Sequence, residues 1–134
     1  MANEAVIVEL LGNGGDPVRF TVAEAATIAK GTLLKLTDPR TAIATGADND
    51  PFCGIAAFEK VGGDGSTTIT AYTHGIFDLV SSGAGVVAGE RVSIKGANQI
   101  AKVAAADQLF GNVGIALETT AAAGNLTVLV GSGF

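Results

Sequence analysis

The chain has 134 residues, of which 48% are hydrophobic and only 16% are charged, and its formal net charge is −5. This length allows one compact domain with a substantial core. The negative charge and the scattered basic residues argue against nucleic-acid binding, which needs clustered Lys and Arg. No apolar run approaches the roughly 20 residues of a membrane-spanning helix. So few charges suggest that other chains cover part of the surface.

The N-terminal residues 1–17 are predicted to form either an arm or a first strand, followed by a Gly-rich linker. The start of the chain lacks the basic region of a secretory signal. An apolar run rich in β-branched residues precedes Gly12–Pro17. It would form a strand of this domain or an arm that adds a strand to a neighbouring chain. The residues predicted to bind a partner are Val6, Ile7, Val8, Leu10 and Leu11.

The next sixty residues are predicted to form short strands separated by turns. Thr21 and Glu24 have the spacing of a helix capping box, but Gly31 follows so soon that we expect at most one or two helical turns. Alternation of apolar and polar residues, with Gly and Asp-Pro at the turns, predicts the strands. The predicted strands are Val18–Val22, Thr32–Leu36, Thr41–Thr45, the segment around Gly54-Ile55-Ala56, and Thr68–Tyr72.

The second part of the chain repeats this pattern at an offset of about sixty residues. Val113-Gly114-Ile115-Ala116 echoes Cys53-Gly54-Ile55-Ala56, and both precede a turn and an alternating strand. We therefore predict one β domain over residues 18–134, with halves at about 18–77 and 78–134. Each half alone would be a sheet with one unburied apolar face, and two facing sheets would bury both. The predicted fold class is mainly β, a single compact sandwich or barrel from two similar halves.

No motif for catalysis or metal binding stands out. His74 is the only histidine, and Cys53 the only cysteine, so a Cys-His dyad would depend on their meeting in space. Asp48, Asp50 and Glu59 match three positions of a calcium-binding loop, but Cys53 replaces the glycine that the tight turn of that loop requires. We expect a protein that is not an enzyme and has no cofactor, no metal site and no catalytic residue. The lone Cys53 favours synthesis in a reducing cytoplasm.

The sequence resembles the small capsid decoration, or cement, proteins of tailed bacteriophages. Three segments carry the resemblance: Ala29–Leu36, Asn112–Glu118, and the closing Ala123–Gly131. The resemblance implies a β-rich structural protein that binds the outside of the assembled capsid, often as a trimer, and reinforces it after expansion. The implied partners are the major capsid protein and other copies of the chain, with no nucleic acid and no membrane. The implied location is the exterior of the virion, after synthesis in the bacterial cytoplasm.

Two other classes remain open at this stage. A ligand- or carbohydrate-binding β module would normally present aromatic platforms, but the chain has one Tyr, six Phe and no Trp. Another structural part of the virion, in the tail or at the junction between head and tail, would share the same composition and the same lack of an active site.

Overall fold

The structure, a computed structural model, describes residues 3–10, 17–83, 85–103 and 111–131. This part contains eleven β-strands and no α-helix, which confirms the predicted mainly β class. None of its elements is a helix long and apolar enough to cross a membrane. The strands are β1 (Val6–Glu9), β2 (Val18–Thr21), β3 (Leu33–Asp38), β4 (Thr41–Ala44), β5 (Phe52–Ala56), β6 (Thr68–Tyr72), β7 (Gly75–Ser81), β8 (Arg91–Ile94), β9 (Ile100–Lys102), β10 (Asn112–Ala116) and β11 (Gly124–Val130).

The first barrel consists of β2 to β6, closed in the order β2-β4-β3-β5-β6. Its neighbouring strands are antiparallel except for the pair β2–β4, which is parallel and joined at Thr21 and Thr41. Side chains alternate between the two faces of each strand, so every second residue points into the barrel. The interior holds Phe20, Val22, Ile28, Leu34, Ala42, Ala56, Ile69 and Ala71.

The second barrel repeats the first, strand for strand. Strands β7 to β11 follow the order β7-β11-β10-β8-β9, and a parallel contact between Ser81 of β7 and Ile100 of β9 closes the ring. The short bridge between Ile28 and Lys60 in the first barrel likewise has a counterpart between Val86 and Thr120. The two similar halves predicted from the sequence are therefore present.

The halves differ in one respect from the two facing sheets expected from the sequence. Each half closes on itself, because its first strand pairs with its third as well as with its fifth. The strand pairing also divides the halves between β6 and β7, since Gly75 to Ser81 pair along β11.

The segment between β2 and β3 forms two separate turns and no helix. The Ala26 N–H donates to the Ala23 carbonyl at 3.0 Å, as in a turn. Two residues later, Ile28 is buried and its N–H and carbonyl bond with Lys60. Pairing with Lys60 extends the chain at that point, so the capping-box pattern does not propagate into a helix.

The two barrels are joined by a buried contact. Leu33 and Ile55 point away from the first barrel and pack into the larger core, which otherwise belongs to the second barrel. The Leu33 N–H donates to Asn98 Oδ1 at 2.6 Å, and the Asn98 N–H donates to Thr45 Oγ1 at 3.1 Å. Since Asn98 is only 1% exposed, these bonds fix the two barrels relative to each other.

Candidate interaction surface

Strand β1 lies on the second barrel, although it begins the chain. It pairs antiparallel with β7, with Val6 opposite Asp78 and Ile7 opposite Phe77. The register then shifts, so that Glu9 lies opposite Ile76 and Val8 lies in a bulge. The Ala5 N–H also donates to the Gly31 carbonyl of the first barrel at 2.6 Å. β1 is thus an edge strand of the six-stranded sheet and also contacts both halves of the molecule.

Four of the five residues predicted to bind a partner separate into two groups. Val6 and Val8 point outward and are 59% and 52% exposed. Ile7 and Leu10 are partly buried and pack against the larger core, so they hold β1 in place. Leu11 lies outside the described residues. The structure therefore leaves Val6 and Val8 as the apolar side chains of β1 that a partner could reach.

Further apolar side chains are exposed in the segments that follow corresponding strands of the two barrels. Phe58 follows β5 and is 65% exposed, and Leu117 follows β10 and is 45% exposed. Val61 and Val87 are more than half exposed in neighbouring loops. Sequence reasoning did not select these residues, although Phe58 and Leu117 lie in the repeated segments that it compared. A large apolar residue followed by Glu and then by a turn was the available signal.

The residues considered for catalysis serve other contacts. His74 is exposed, and its Nδ1 lies 3.0 Å from Thr73 Oγ1. Cys53 packs against the core of the first barrel, and burial raises the pKa of its thiol to about 12. Because only the thiolate is a good nucleophile, this burial disfavours reaction of Cys53 at neutral pH.

Two of the three carboxylates considered for calcium binding, Asp48 and Asp50, pair with protein groups. Asp50 Oδ2 accepts from the N–H groups of Gly46 and Ala47 and lies 3.1 Å from Lys35 Nζ. Asp48 pairs with Lys95 across the barrel contact at 2.8 Å. Across the described ranges, no group of three or more potential ligands gathers around a common point. The loop between β4 and β5 is thus built by internal hydrogen bonds and ion pairs.

A buried lysine closes one end of the first barrel. Lys60 is 3% exposed, and its Nζ donates to the carbonyls of Glu24 and Ala26 at 2.7 and 3.2 Å. It also lies 3.2 Å from Asp64 Oδ1, which compensates the buried charge. The role of this cation is structural, since its donors are directed at main-chain and side-chain oxygens of the same loops.

These features define a class: a two-barrel β protein that presents apolar side chains at its surface and uses its titratable groups for internal contacts. The comparison with protein families then gives the identification. The family model described as phage cement protein matches residues 12–132, and the chain belongs to this family. The resemblance seen in the sequence is thereby confirmed. The family is one of structural phage proteins and not a class of enzymes, so the chain is a structural component of the virion that associates with the capsid.

A solved structure shares the fold. The chain is similar to the crystal structure of the N base of the head fiber protein gp8.5 in bacteriophage phi29, with a TM-score of 0.57 and 15% sequence identity. The similarity covers 86% of this chain and 94% of that one. At this identity the likeness establishes the two-barrel fold alone. The comparison with curated proteins found no match.

Proposed function

We propose that the protein binds the outside of the mature phage capsid and stabilises it as a decoration protein. The observation that carries this proposal is the match to the phage cement protein family over residues 12–132. A capsid that holds packed DNA is under outward stress at the junctions between its subunits. A protein that bridges a junction resists this stress by adding contact area, and it favours the assembled lattice over separated subunits by linkage. Many bridging copies acting together add avidity.

The proposed partners are the major capsid protein and other copies of this chain, in a homotrimer. The low share of charged residues and the exposed Phe58, Val61, Val87 and Leu117 support broad contacts with protein surfaces. In this proposal, the chain is made in the host cytoplasm and added to the shell from outside. Measuring the molecular mass of the purified protein in solution tests the proposed homotrimer.

We propose that β1 contributes to attachment through its outward face. Val6 and Val8 are exposed on an edge strand, and such edges readily pair with a strand of another chain. Ile7 and Leu10 face the larger core, so attachment would leave them where they are. Removal of the whole segment would disturb the fold as well as the attachment, which makes point substitutions the better test.

The direct experiment adds the purified protein to undecorated, expanded shells and measures the number of copies bound at each local symmetry axis. Saturable binding to the outer surface, with a fixed number per axis, is the expected result. Binding to isolated tails, or no binding to expanded shells, would contradict the proposal.

The role of β1 is tested with the double substitution Val6→Asp and Val8→Asp. The variant should keep its fold, because both side chains are exposed, but it should occupy far fewer sites on the shell. Thr37→Asp combined with Ile43→Asp is the matched control, since it makes the same change in net charge at two exposed positions on strands of the first barrel, outside the residues proposed for contact. If the β1 variant binds as well as the control, β1 has no part in attachment.

A further inference from the structure

The contact between the two barrels has two complementary sides. The first barrel supplies an outward row of Leu33, Ile55 and Tyr72 from three adjacent strands, β3, β5 and β6. Leu33 and Ile55 are each 1% exposed, and the Tyr72 ring lies 6.0 Å from that of Phe77. The second barrel supplies Ile94 and Asn98, which receive main-chain hydrogen bonds from the first barrel.

Those bonds show that Ile94 and Asn98 lie at the contact. The Ile94 carbonyl accepts from the Asn49 N–H at 3.0 Å, and Asn98 Oδ1 accepts from the Leu33 N–H at 2.6 Å. Both residues are 1% exposed. The side of the contact that belongs to the second barrel is therefore the end of β8 together with the turn between β8 and β9.

Because the barrels share one topology, each residue of this contact has a counterpart in the other barrel. The pairing of Arg91 with Ile115, and of Ile115 with Leu129, reproduces the row of the first barrel in the second. Leu36 takes the place of Ile94, since each lies three residues after the strand residue, Leu33 or Arg91, that pairs with the isoleucine of the row. Arg40 takes the place of Asn98. Both have left-handed backbone conformations, with φ of 51° and 59°.

All the counterparts but one are more exposed than the originals, the exception being Leu129, which is partly exposed as Tyr72 is. Leu36 is 41% exposed, against 1% for Ile94. Ile115 and Leu129 are partly exposed, and Arg91 is exposed. The chain thus carries a second version of each side of its own internal contact, one on each barrel. The exposed row of the second barrel in one copy could therefore meet the exposed turn of the first barrel in another copy. Repetition of such a head-to-tail contact builds an open filament.

Two of the counterparts change the chemistry of the contact. Arg91 replaces Leu33, and Arg40 replaces Asn98. Since Asn98 Oδ1 lies 2.6 Å from the Leu33 N atom, the same geometry between two copies would bring Arg40 of one copy against Arg91 of the next. Two guanidinium groups brought together as water is excluded repel each other strongly. The acceptor for the main-chain N–H would also be lost.

We propose that Arg40 and Arg91 prevent copies of this chain from joining head to tail through the contact that joins its own barrels. Assembly of the protein is then left to its other surfaces. The proposal concerns self-association in solution and does not depend on binding to a capsid.

The test measures the weight-average mass of wild type and variants by sedimentation over a wide concentration range. Arg91→Glu should form larger assemblies than wild type, because the new carboxylate would face Arg40 of the next copy as an opposite charge. The apparent dissociation constant for self-association should be about tenfold lower than that of wild type. Arg40→Glu combined with Arg91→Glu should lose this gain, since like charges meet again. Arg40→Asn combined with Arg91→Leu rebuilds the internal contact and should also associate, with little dependence on salt.

Lys30→Glu is the matched control. It makes the same change in net charge at an exposed turn residue that belongs to neither side of the contact. The proposal is overturned if Arg91→Glu and the rebuilt variant both keep the wild-type mass. It is also overturned if the control, or the variant with both reversals, associates as strongly as Arg91→Glu. Circular dichroism of each variant verifies that the fold is retained.

Discussion

The two barrels have the same connectivity, yet they use the same outward row in different ways. In the first barrel, Ile55 is 1% exposed because the second barrel covers it. In the second barrel, the corresponding Ile115 remains partly exposed. The difference shows that the internal repeat does not make the halves interchangeable. One copy of the row forms the joint of the molecule, and the other lies on its outside.

The difference extends to the ends of the barrels. Asn98, in the turn between β8 and β9, is buried against the first barrel, whereas Arg40 in the equivalent turn between β3 and β4 is exposed. The first barrel is closed by the buried Lys60, and Thr120 occupies the matching bridge position in the second. Paired substitutions at equivalent positions can therefore measure what each barrel contributes.

The largest contrast is expected at the glycines of the repeated Gly-Ile-Ala segments. A Cβ at Gly114 would overlap the carbonyl oxygen of Leu129, which is main chain and cannot move aside. At Gly54 it would lie 3.0 Å from the Ala71 Cβ and from the Tyr72 carbonyl oxygen. Gly114→Ala should lower the free energy of unfolding by about 3 kcal/mol or more, and Gly54→Ala by about 1 to 2 kcal/mol. Urea denaturation measures both, and a larger loss at Gly54 would contradict the packing described for β10 and β11.

The next contrast is between the two isoleucines of the outward row. Ile55→Ala should cost about 3 kcal/mol of unfolding free energy, since it opens a cavity in the larger core. Ile115→Ala removes a side chain that is already partly in water, so its cost should be about 1 kcal/mol. Equal losses in urea titrations would mean that the row of the second barrel is as well covered as that of the first.

A third pair concerns the two turns with positive φ. Asn98→Gly keeps the left-handed backbone but leaves the buried Leu33 N–H without its acceptor, at a cost of about 2 kcal/mol. Arg40→Gly relieves the same backbone strain at an exposed site and should change stability by less than about 0.5 kcal/mol. Thermal unfolding measures the loss of stability in each of the two variants. A neutral Asn98→Gly would show that this bond does not hold the barrels together.

The smallest effect is expected from Asp50, and it should depend on pH. Burial tends to raise the pKa of Asp50, but hydrogen bonds from Gly46 and Ala47 and the charge of Lys35 outweigh it, so the pKa lies below its usual 3.8. The carboxylate therefore stabilises the folded state above its usual pKa, and this contribution is lost as pH falls through the lowered value. Asp50→Asn should cost about 1 kcal/mol at neutral pH.

The pH dependence separates this account from a simple loss of packing. The difference between wild type and Asp50→Asn should shrink as the pH is lowered from 5 through the folded pKa, because wild-type Asp50 is then protonated as well. Asp48→Asn is the control, since the Asp48–Lys95 pair is exposed and contributes little. A difference that stays constant across this pH range would contradict the assigned charge state.

The repeat and the mainly β class could be predicted because they are written in local patterns. The Gly-Ile-Ala segments mark β5 and β10, and the alternating run from Leu126 to Val130 marks β11. The closing of each half could not be predicted, since it depends on parallel contacts such as Ser81 with Ile100, between strands that are not neighbours in sequence. No local periodicity encodes such a contact.

The candidate surface was predicted less completely. The run Val6-Ile7-Val8 is apolar throughout, so its sequence cannot show that Ile7 faces the core while its neighbours face outward. Phe58 was overlooked because a large aromatic residue is expected to be buried. Its exposure follows from its place in the turn after β5, where the chain leaves the barrel wall.

The stability of the shell itself gives the most direct test of the central proposal that this protein reinforces the capsid. Undecorated, expanded capsids that contain DNA would be heated with and without saturating amounts of the protein. The temperature at which the capsids release their DNA would be recorded. The account predicts a higher release temperature with the protein bound, and a smaller rise for the variant with Val6→Asp and Val8→Asp. An unchanged release temperature at full occupancy would contradict it.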